Sequence, residues 1–466
     1  MTGSLRGALA EIADQAPIAD IPDDLWESAH RPRRRTVVAA AFAATAVIAS
    51  AAGLGIVLHH ESPPPATPIP GPGAVPSHIY RIPDRLTGPL ETDLAVGRSS
   101  VAYMTQAGIP VVVTARDGRY HLLDLPGFLG QDDAGGFSTL LGTGYALSPD
   151  GRSLAYAFAG GYDAAGTPSA TGVRVLDLET GGIRTVELPP QGQGTQVRLI
   201  TWSPDSRWLA WEGQVATSWH SGAAAFRDVA RGRIAPGGTT SQPLDLALGS
   251  QAAMAVDDRG VVVTVDGNLV ALSPRRGPER IGPVHPTPRE VRSSDMAAHA
   301  LAYDPTGRHV TIASTLPSAR AYRLDTHRLT YHSRALPVIA GSGSWVLPLG
   351  WLSRSDGPVS VSEVRPVIGR SDSSTGATVE AGRIVLTRWE GGEPSSRVVA
   401  RLDELMPDTV SVAVDLMTTA QPTHAFPAPH WPSSTPWSTI AGLSCLGALG
   451  LGWLGFVAVA RRRARR

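Results

Sequence analysis

A short unit recurs along the middle of this chain, and its spacing limits the folds open to it. Residues 145–156 read Tyr-Ala-Leu-Ser-Pro-Asp-Gly-Arg-Ser-Leu-Ala-Tyr, and residues 200–211 read Ile-Thr-Trp-Ser-Pro-Asp-Ser-Arg-Trp-Leu-Ala-Trp. A third copy spans 300–312 around Asp304 and Gly307, and a weaker fourth spans 253–265. Each copy is an apolar run, a tight turn and a second apolar run. Proline presets φ, and Asp, Ser and Gly suit the turn, so each copy predicts a β-hairpin. The turn residues Ser148, Ser203, Asp257 and Asp304 are separated by 55, 54 and 47 residues. A period of about 50 residues that holds several strands is the signature of a propeller blade.

A second hairpin follows the first, as in 173–186 and 320–330, which gives four strands per unit. A first unit fits 94–125 and a last fits 345–402. The expected fold class is an all-β extracytoplasmic β-propeller over 78–419, with about six four-stranded blades; five or seven stay open. Either 410–416 or 78–82 supplies the strand that closes the ring, and closure removes exposed sheet edges. The Ser-Pro-Asp-Gly-Arg and Trp-Ser-Pro-Asp units resemble the repeats of TolB-type, WD-like β-propellers. The resemblance implies the fold and carries no active site with it, because such propellers host many roles. Asp150, Asp205 and Asp304 are read as turn-holding residues.

Two uncharged apolar stretches bracket the repeats, 36–58 and 438–460, each of 23 residues. A helix of that length reaches roughly 35 Å, enough to cross a hydrocarbon core of about 30 Å. Arg31, Arg33, Arg34 and Arg35 precede the first; Arg461, Arg462, Arg463, Arg465 and Arg466 follow the second. No Arg or Lys lies between the first stretch and Tyr80, or between Leu402 and the end of the second. The positive-inside rule then predicts two transmembrane helices in the cell membrane, both termini in the cytoplasm and the propeller outside. Trp431 and Trp437 fall where an outer interfacial belt would lie. The alternative is a cleaved signal peptide with Ala49-Ser50-Ala51 as its site, although the apolar run exceeds the usual 7–15 residues.

The expected organisation is a cytoplasmic tail at 1–35, a span at 36–58, a proline-rich linker at 59–77 and the propeller at 78–419. A second proline-rich linker at 420–437, a span at 438–460 and an arginine tail at 461–466 complete it. The two linkers predict extended stalks.

All 41 basic residues are arginine, which excludes a P-loop and any Schiff-base lysine. With abundant Ala, Gly and Pro, this resembles the bias of a GC-rich, actinobacterial-like genome. Ten arginines and six acids lie in the termini, leaving 31 Arg against 35 carboxylates, a net charge of −4 outside. That is not the electrostatic footprint of a nucleic-acid binder. The one cysteine, Cys445, lies in the second apolar stretch, so no disulfide is expected outside. Neither Gly-x-Ser-x-Gly nor His-Glu-x-x-His occurs. His59-His60, Asp132-Asp133 and Asp257-Asp258 lack the ligand count or alternation of a metal site. No catalytic residue, cofactor or metal is expected.

Connection length gives a candidate binding face. The segments 148–151, 179–182 and 325–327 are tight turns on one side of the blades. The segments 126–144, 160–172, 213–222 and 282–299 are long and read as loops on the other. Long loops on a rigid scaffold commonly carry function. They hold Tyr162, Trp219, His220, His285 and Arg289, the expected contacts for a protein, peptide or envelope glycan. Two further readings stand beside a binding scaffold. Leu5, Ala8, Leu9, Ile12 and Ala16 share one helical face, so the tail can dock a cytoplasmic regulator. That layout is similar to membrane-bound anti-sigma factors. The third reading is an envelope hydrolase or lyase with carboxylates gathered in the propeller channel.

Overall fold

A computed structural model describes residues 73–83, 90–105, 107–128, 144–162, 168–188, 194–220, 223–244, 254–265, 268–274, 278–283, 300–313, 320–323, 334–335, 344–353, 355, 357–368, 378–379, 382–389, 395–403, 410–429 and 431. All lie in the larger of two compact units, residues 63–432. Both apolar stretches, the tail at 1–35 and Trp437 lie outside the described residues. Among the described residues, no helix is long and apolar enough to cross a membrane.

The strands follow in chain order. After β1 (His78–Ile79) come β2 (Ser99–Met104), β3 (Pro110–Thr114) and β4 (Tyr120–Leu122). Next are β5 (Tyr145–Leu147), β6 (Ser153–Tyr162), β7 (Pro168–Asp177) and β8 (Ile183–Glu187). The middle holds β9 (Thr195–Trp202), β10 (Leu209–His220), β11 (Ala223–Ile234) and β12 (Ser241–Pro243), then β13 (Met254–Val256), β14 (Val262–Val265), β15 (Asn268–Leu272) and β16 (Pro278–Pro283). They are followed by β17 (Ala300–Tyr303), β18 (His309–Ala313), β19 (Arg320–Arg323) and β20 (Arg334–Ala335). The last are β21 (Ser344–Trp351), β22 (Val359–Ile368), β23 (Thr378–Val379), β24 (Arg383–Arg388), β25 (Ser395–Leu402) and β26 (Ser411–Val412).

These strands form five four-stranded sheets, which are propeller blades, and one six-stranded sheet. The expectation of about six four-stranded blades therefore needs correction at the last sheet. There a four-stranded meander of β21, β22, β24 and β25 gains β1 on its outer edge and β23 on β22. The first strands β5, β9, β13, β17 and β21 touch one another in chain order, and β2 and β26 touch β5. The hairpin expected over 320–330 instead pairs Arg320 and Ala321 with Ala335 and Arg334; 325–327 lies outside the described residues.

Closure uses both candidate segments. From the C-terminal side, β26 pairs with β2 as the innermost strand of the first blade. From the N-terminal side, β1 lies parallel to β25 in the last sheet. The segments that lead in and out also pair, through a parallel bridge from Pro76 to His424. The proline-rich segments are thus not free stalks where they meet the domain. Val75 is fully buried, and Trp431 packs edge-on to Tyr120 with centroids 5.4 Å apart rather than standing free for a membrane belt. The largest hydrophobic cluster spans this seam, joining Val75 and Ile79 to Val101, Leu352, Leu402 and Val414.

The repeated turns are held by their first residue. Ser148 Oγ donates to Asp150 Oδ1 at 2.6 Å and accepts Ser153 N–H at 2.9 Å. Ser203 repeats this with Asp205 at 2.5 Å and Trp208 N–H at 2.9 Å. Asp257 and Asp304 do the same work with a carboxylate: Asp257 accepts Val261 N–H at 2.8 Å and Asp304 accepts His309 N–H at 2.7 Å. The turns also bind one another. Asp150 N–H donates to Ser206 Oγ at 3.0 Å and Asp205 N–H to Asp258 Oδ1 at 2.9 Å, so one blade's turn holds the next.

Candidate binding face

Two of the segments expected as loops are continued strands. In the second blade β6 and β7 pair from Ser153–Asp177 out to Tyr162–Pro168. Their flanking strands stop early, β5 opposite Tyr156 and β8 opposite Gly172. In the third blade β10 and β11 pair out to His220–Ala223, whereas β9 stops at Val215 and β12 at Gly232. Each hairpin therefore runs past its own sheet as a two-stranded ribbon. Both are second-to-third strand connections, so both leave the propeller on the side opposite the tight turns. In the first and fourth blades the same connection is short, from Met104 to Pro110 and from Val265 to Asn268.

Tyr162, Trp219 and His220 are thus strand residues at the ends of these ribbons, opposite Pro168, Ala224 and Ala223 respectively. His285 and Arg289 lie outside the described residues, as do most of 126–144 and 282–299. The structure brings Tyr162 to the end of one ribbon and Trp219 with His220 to the end of the next.

The base of the first ribbon is braced from the preceding connection. Ala159 N–H donates to Gly127 O at 3.0 Å. Arg174 donates to Pro126 O at 2.6 Å and stands 4.3 Å over the Phe158 ring. Phe128 meets Tyr156 edge-on at 6.0 Å, and burial pushes the Tyr156 hydroxyl above its ordinary value. Gly127 needs its positive φ of 63°, and a side chain there would meet Ala159 O at 2.9 Å.

The base of the second ribbon is polar. Glu212 and Arg231 are directly opposite in β10 and β11 and form a buried ion pair of 2.7 Å. Arg233, two pairs nearer the turn side, donates to Gly260 O at 2.9 Å and Leu272 O at 3.1 Å in the fourth blade. Gln196, on β9 beside the ribbon base, is buried with its carbonyl oxygen unpaired among the described residues. Sequence reading missed Glu212, Arg231 and Gln196, because a charge inside a strand pattern gives no sign of the residue it will face.

A carboxylate pair stands on the turn side instead. Burial pushes the Asp258 carboxyl up to about 6, and the charge of Asp205 adds to the rise. Both residues are engaged in the contact between the third and fourth blades. Among the described residues, no group of three or more His, Cys, Asp or Glu side chains could hold a metal ion.

No known protein family and no curated sequence matches this chain. Solved structures match at the level of fold. An oligogalacturonate lyase in complex with manganese aligns at 13% identity with a TM-score of 0.36, covering 63% of this chain and 70% of that one. A TolB-type protein from Agrobacterium tumefaciens aligns at 13% identity with a TM-score of 0.31, covering 50% and 79%. The β-propeller domain of Cps50 (Swd1) from Myceliophteria thermophila aligns at 14% identity with a TM-score of 0.30, covering 56% and 86%. These likenesses are propeller to propeller and carry no assignment of activity; the chain is an all-β propeller similar to TolB-like and WD40-like folds.

Proposed function

We propose that this protein is a membrane-anchored β-propeller that binds a protein, peptide or envelope glycan outside a bacterial cell and performs no chemistry on it. The observation that carries the reading is the asymmetry of the two sides. One side is closed by tight turns bound to each other, and the other projects two β-ribbons beyond their sheets. A ribbon past its sheet leaves backbone donors and acceptors along both edges, and such edges pair with extended segments of other chains. The apolar stretches at 36–58 and 438–460 supply the anchor in this reading.

Two measurements test it. A photo-crosslinking residue in place of Ser218, used in native membranes, is expected to trap a discrete adduct that Trp219→Ala with His220→Ala abolishes at unchanged melting temperature. Asp150→Ala with Asp205→Ala, on the turn side, is expected to lower the melting temperature and leave the adduct. Equal behaviour of the two pairs would overturn the binding face. For the anchor, Ser62→Cys in a Cys445→Ser chain is expected to react with an impermeant maleimide on intact cells, and Ser4→Cys is not. Labelling at both positions, or release of a shortened soluble chain, would overturn the two-span anchor.

A further inference from the structure

We propose that the contact between the fifth blade and the last sheet holds an internal water molecule, which bridges the hydroxyls of Thr311 and Ser362. Both side chains are buried, at 0% and 1% exposure. Both hydroxyl oxygens are shut off from solvent and make no hydrogen bond among the described residues. A buried hydroxyl without a partner is costly, and native proteins satisfy nearly all such groups through protein or ordered water. Two of them in one interface call for a third group between them.

The strand register puts the two hydroxyls on facing surfaces. Thr311 on β18 is directly opposite Ala302 on β17, so the two share a face of the fifth blade. His309, two residues before Thr311, lies on that face as well. On the last sheet, Ser360 of β22 is directly opposite Trp351 of β21, and Ser362 follows Ser360 by two residues on the same face. These two faces meet. Trp351 Nε1–H donates to Ala302 O at 2.9 Å, and its ring lies 5.9 Å from that of His309. Thr311 and Ser362 each lie two residues beyond this contact, on the side away from the tight turns.

The packing leaves room for one small group. The apolar cluster of this interface consists of Ala302, Trp351 and Trp389. Its indoles hold the two faces apart at one level, and at the next level the side chains are small. Facing sheets lie about 10 Å apart, and a serine or threonine hydroxyl stands only about 2–3 Å from its own strand, so two facing hydroxyls are separated by roughly 5 Å. Two hydrogen bonds of about 2.8 Å through one oxygen span that distance. The chemistry fits water too, because each hydroxyl can donate or accept and a water molecule can do both. The neighbouring hydroxyls of the last sheet are already engaged. Ser360 Oγ accepts Trp389 Nε1–H at 2.8 Å, and Thr387 Oγ1 pairs with Ser396 Oγ at 2.9 Å.

The test uses the full chain and two hydroxyl deletions, Thr311→Val and Ser362→Ala. Replacing an unpaired buried hydroxyl by an apolar group of similar shape is neutral or stabilising. Loss of a bridge instead leaves the other hydroxyl without its partner. Each single change is therefore expected to lower the melting temperature. The double change is expected to lower it by little more than the larger single loss, since the second hydroxyl is by then unbridged. Thr311→Ser keeps the hydroxyl, so Ser362→Ala is expected to cost as much in that background as in the parent. A crystal structure of the unaltered chain is expected to show one water oxygen within about 3.2 Å of both hydroxyl oxygens. That measurement decides the matter where a variant does not fold. A melting temperature unchanged or raised in either single variant, or losses that simply add in the double variant, would overturn the bridge. So would a crystal structure in which the two hydroxyls meet directly or turn to backbone carbonyls with no water between them.

Discussion

At the head of each repeated turn, one buried polar side chain takes the place of a missing backbone partner. Serine does this in the second and third blades and aspartate in the fourth and fifth, at Ser148, Ser203, Asp257 and Asp304. The choice changes how the fold responds to pH. Burial raises the Asp304 carboxyl, but the ring and backbone N–H of His309 and the Thr306 hydroxyl outweigh it and hold the group below its ordinary value. Asp304 thus contributes stability above the ordinary carboxylate range that is lost as pH falls through its lowered value. Asp258 runs the other way. Burial first, and the nearby charges of Asp205 and Asp257, raise it from 3.8 to about 6, against the Asp205 N–H it accepts. Its neutral form is the one the fold favours, so its contribution is full below 3.8 and lost as pH rises through about 6. Arg259, the cation beside it, is held by Asp257 at 2.7 Å. Asp258→Asn keeps an acceptor for Asp205 N–H and removes the titration. The melting temperature of this variant, minus that of the parent, is expected to grow as pH is raised from about 4 to about 6, and to be flat above. A difference that is constant across that window would show that Asp258 titrates normally.

At the scale of hairpins, glycine has two uses here, and only one of them was legible in the sequence. Gly151 is a turn glycine: its φ is 75°, and an added Cβ would lie 2.1 Å from Ser99 O of the first blade. Gly237 has nearly the same φ, 64°, and nothing within 4 Å. Alanine in the left-handed region costs roughly 1–2 kcal/mol. Gly237→Ala is therefore expected to cost about that much in chemical denaturation, and Gly151→Ala clearly more, because it also forces two blades apart. Equal losses would mean that the contact with Ser99 yields freely. The turn and its repeat were readable because their chemistry is local: Ser-Pro-Asp-Gly satisfies its own backbone. Gly172 and Gly213 carry the opposite lesson. They look like loop ends beside Gly160 and Gly222, yet both sit inside paired strands. An added Cβ would lie 2.2 Å from Val186 O at Gly172 and 2.6 Å from Gln196 O at Gly213. There glycine admits a neighbouring backbone rather than a turn, and nothing within either segment shows that neighbour. The ribbons, with Tyr162, Trp219 and His220 on them, for that reason read as loops in the sequence and are paired strands in the structure. The proline-rich ends misled for a similar reason. An extended segment reads the same whether it hangs free or, like Val75 and His424, lies paired against a distant strand.

For the whole molecule, the decisive contact is the one that turns a row of sheets into a ring, and a buried charge takes part in it. Glu363 on β22 is fully buried, pairs with Arg365, and accepts the Val410 N–H at 3.1 Å, immediately before the closing strand β26. Glu212 occupies the matching position of the third blade: it follows Leu209, the partner of Trp202, as Glu363 follows Ser360, the partner of Trp351. Its own arginine, Arg231, lies within the same blade. The two glutamates are thus chemically alike and topologically different. Removing one member of a buried pair costs about 3–5 kcal/mol, chiefly through the charge left behind. Glu212→Ala and Glu363→Ala are therefore expected to lose comparable global stability. Only Glu363→Ala also frees Val410 and weakens the join between the last sheet and the first. Native-state hydrogen exchange separates the two, since it reads local opening against the global scale. The Ala413 N–H, which donates to Ser100 O where β26 pairs with β2, is expected to lose protection beyond the global loss in Glu363→Ala and to follow it in Glu212→Ala. If both variants expose the Ala413 amide to the same extent, the ring is held by the apolar seam around Val75, Ile79 and Leu402, and Glu363 serves its own sheet.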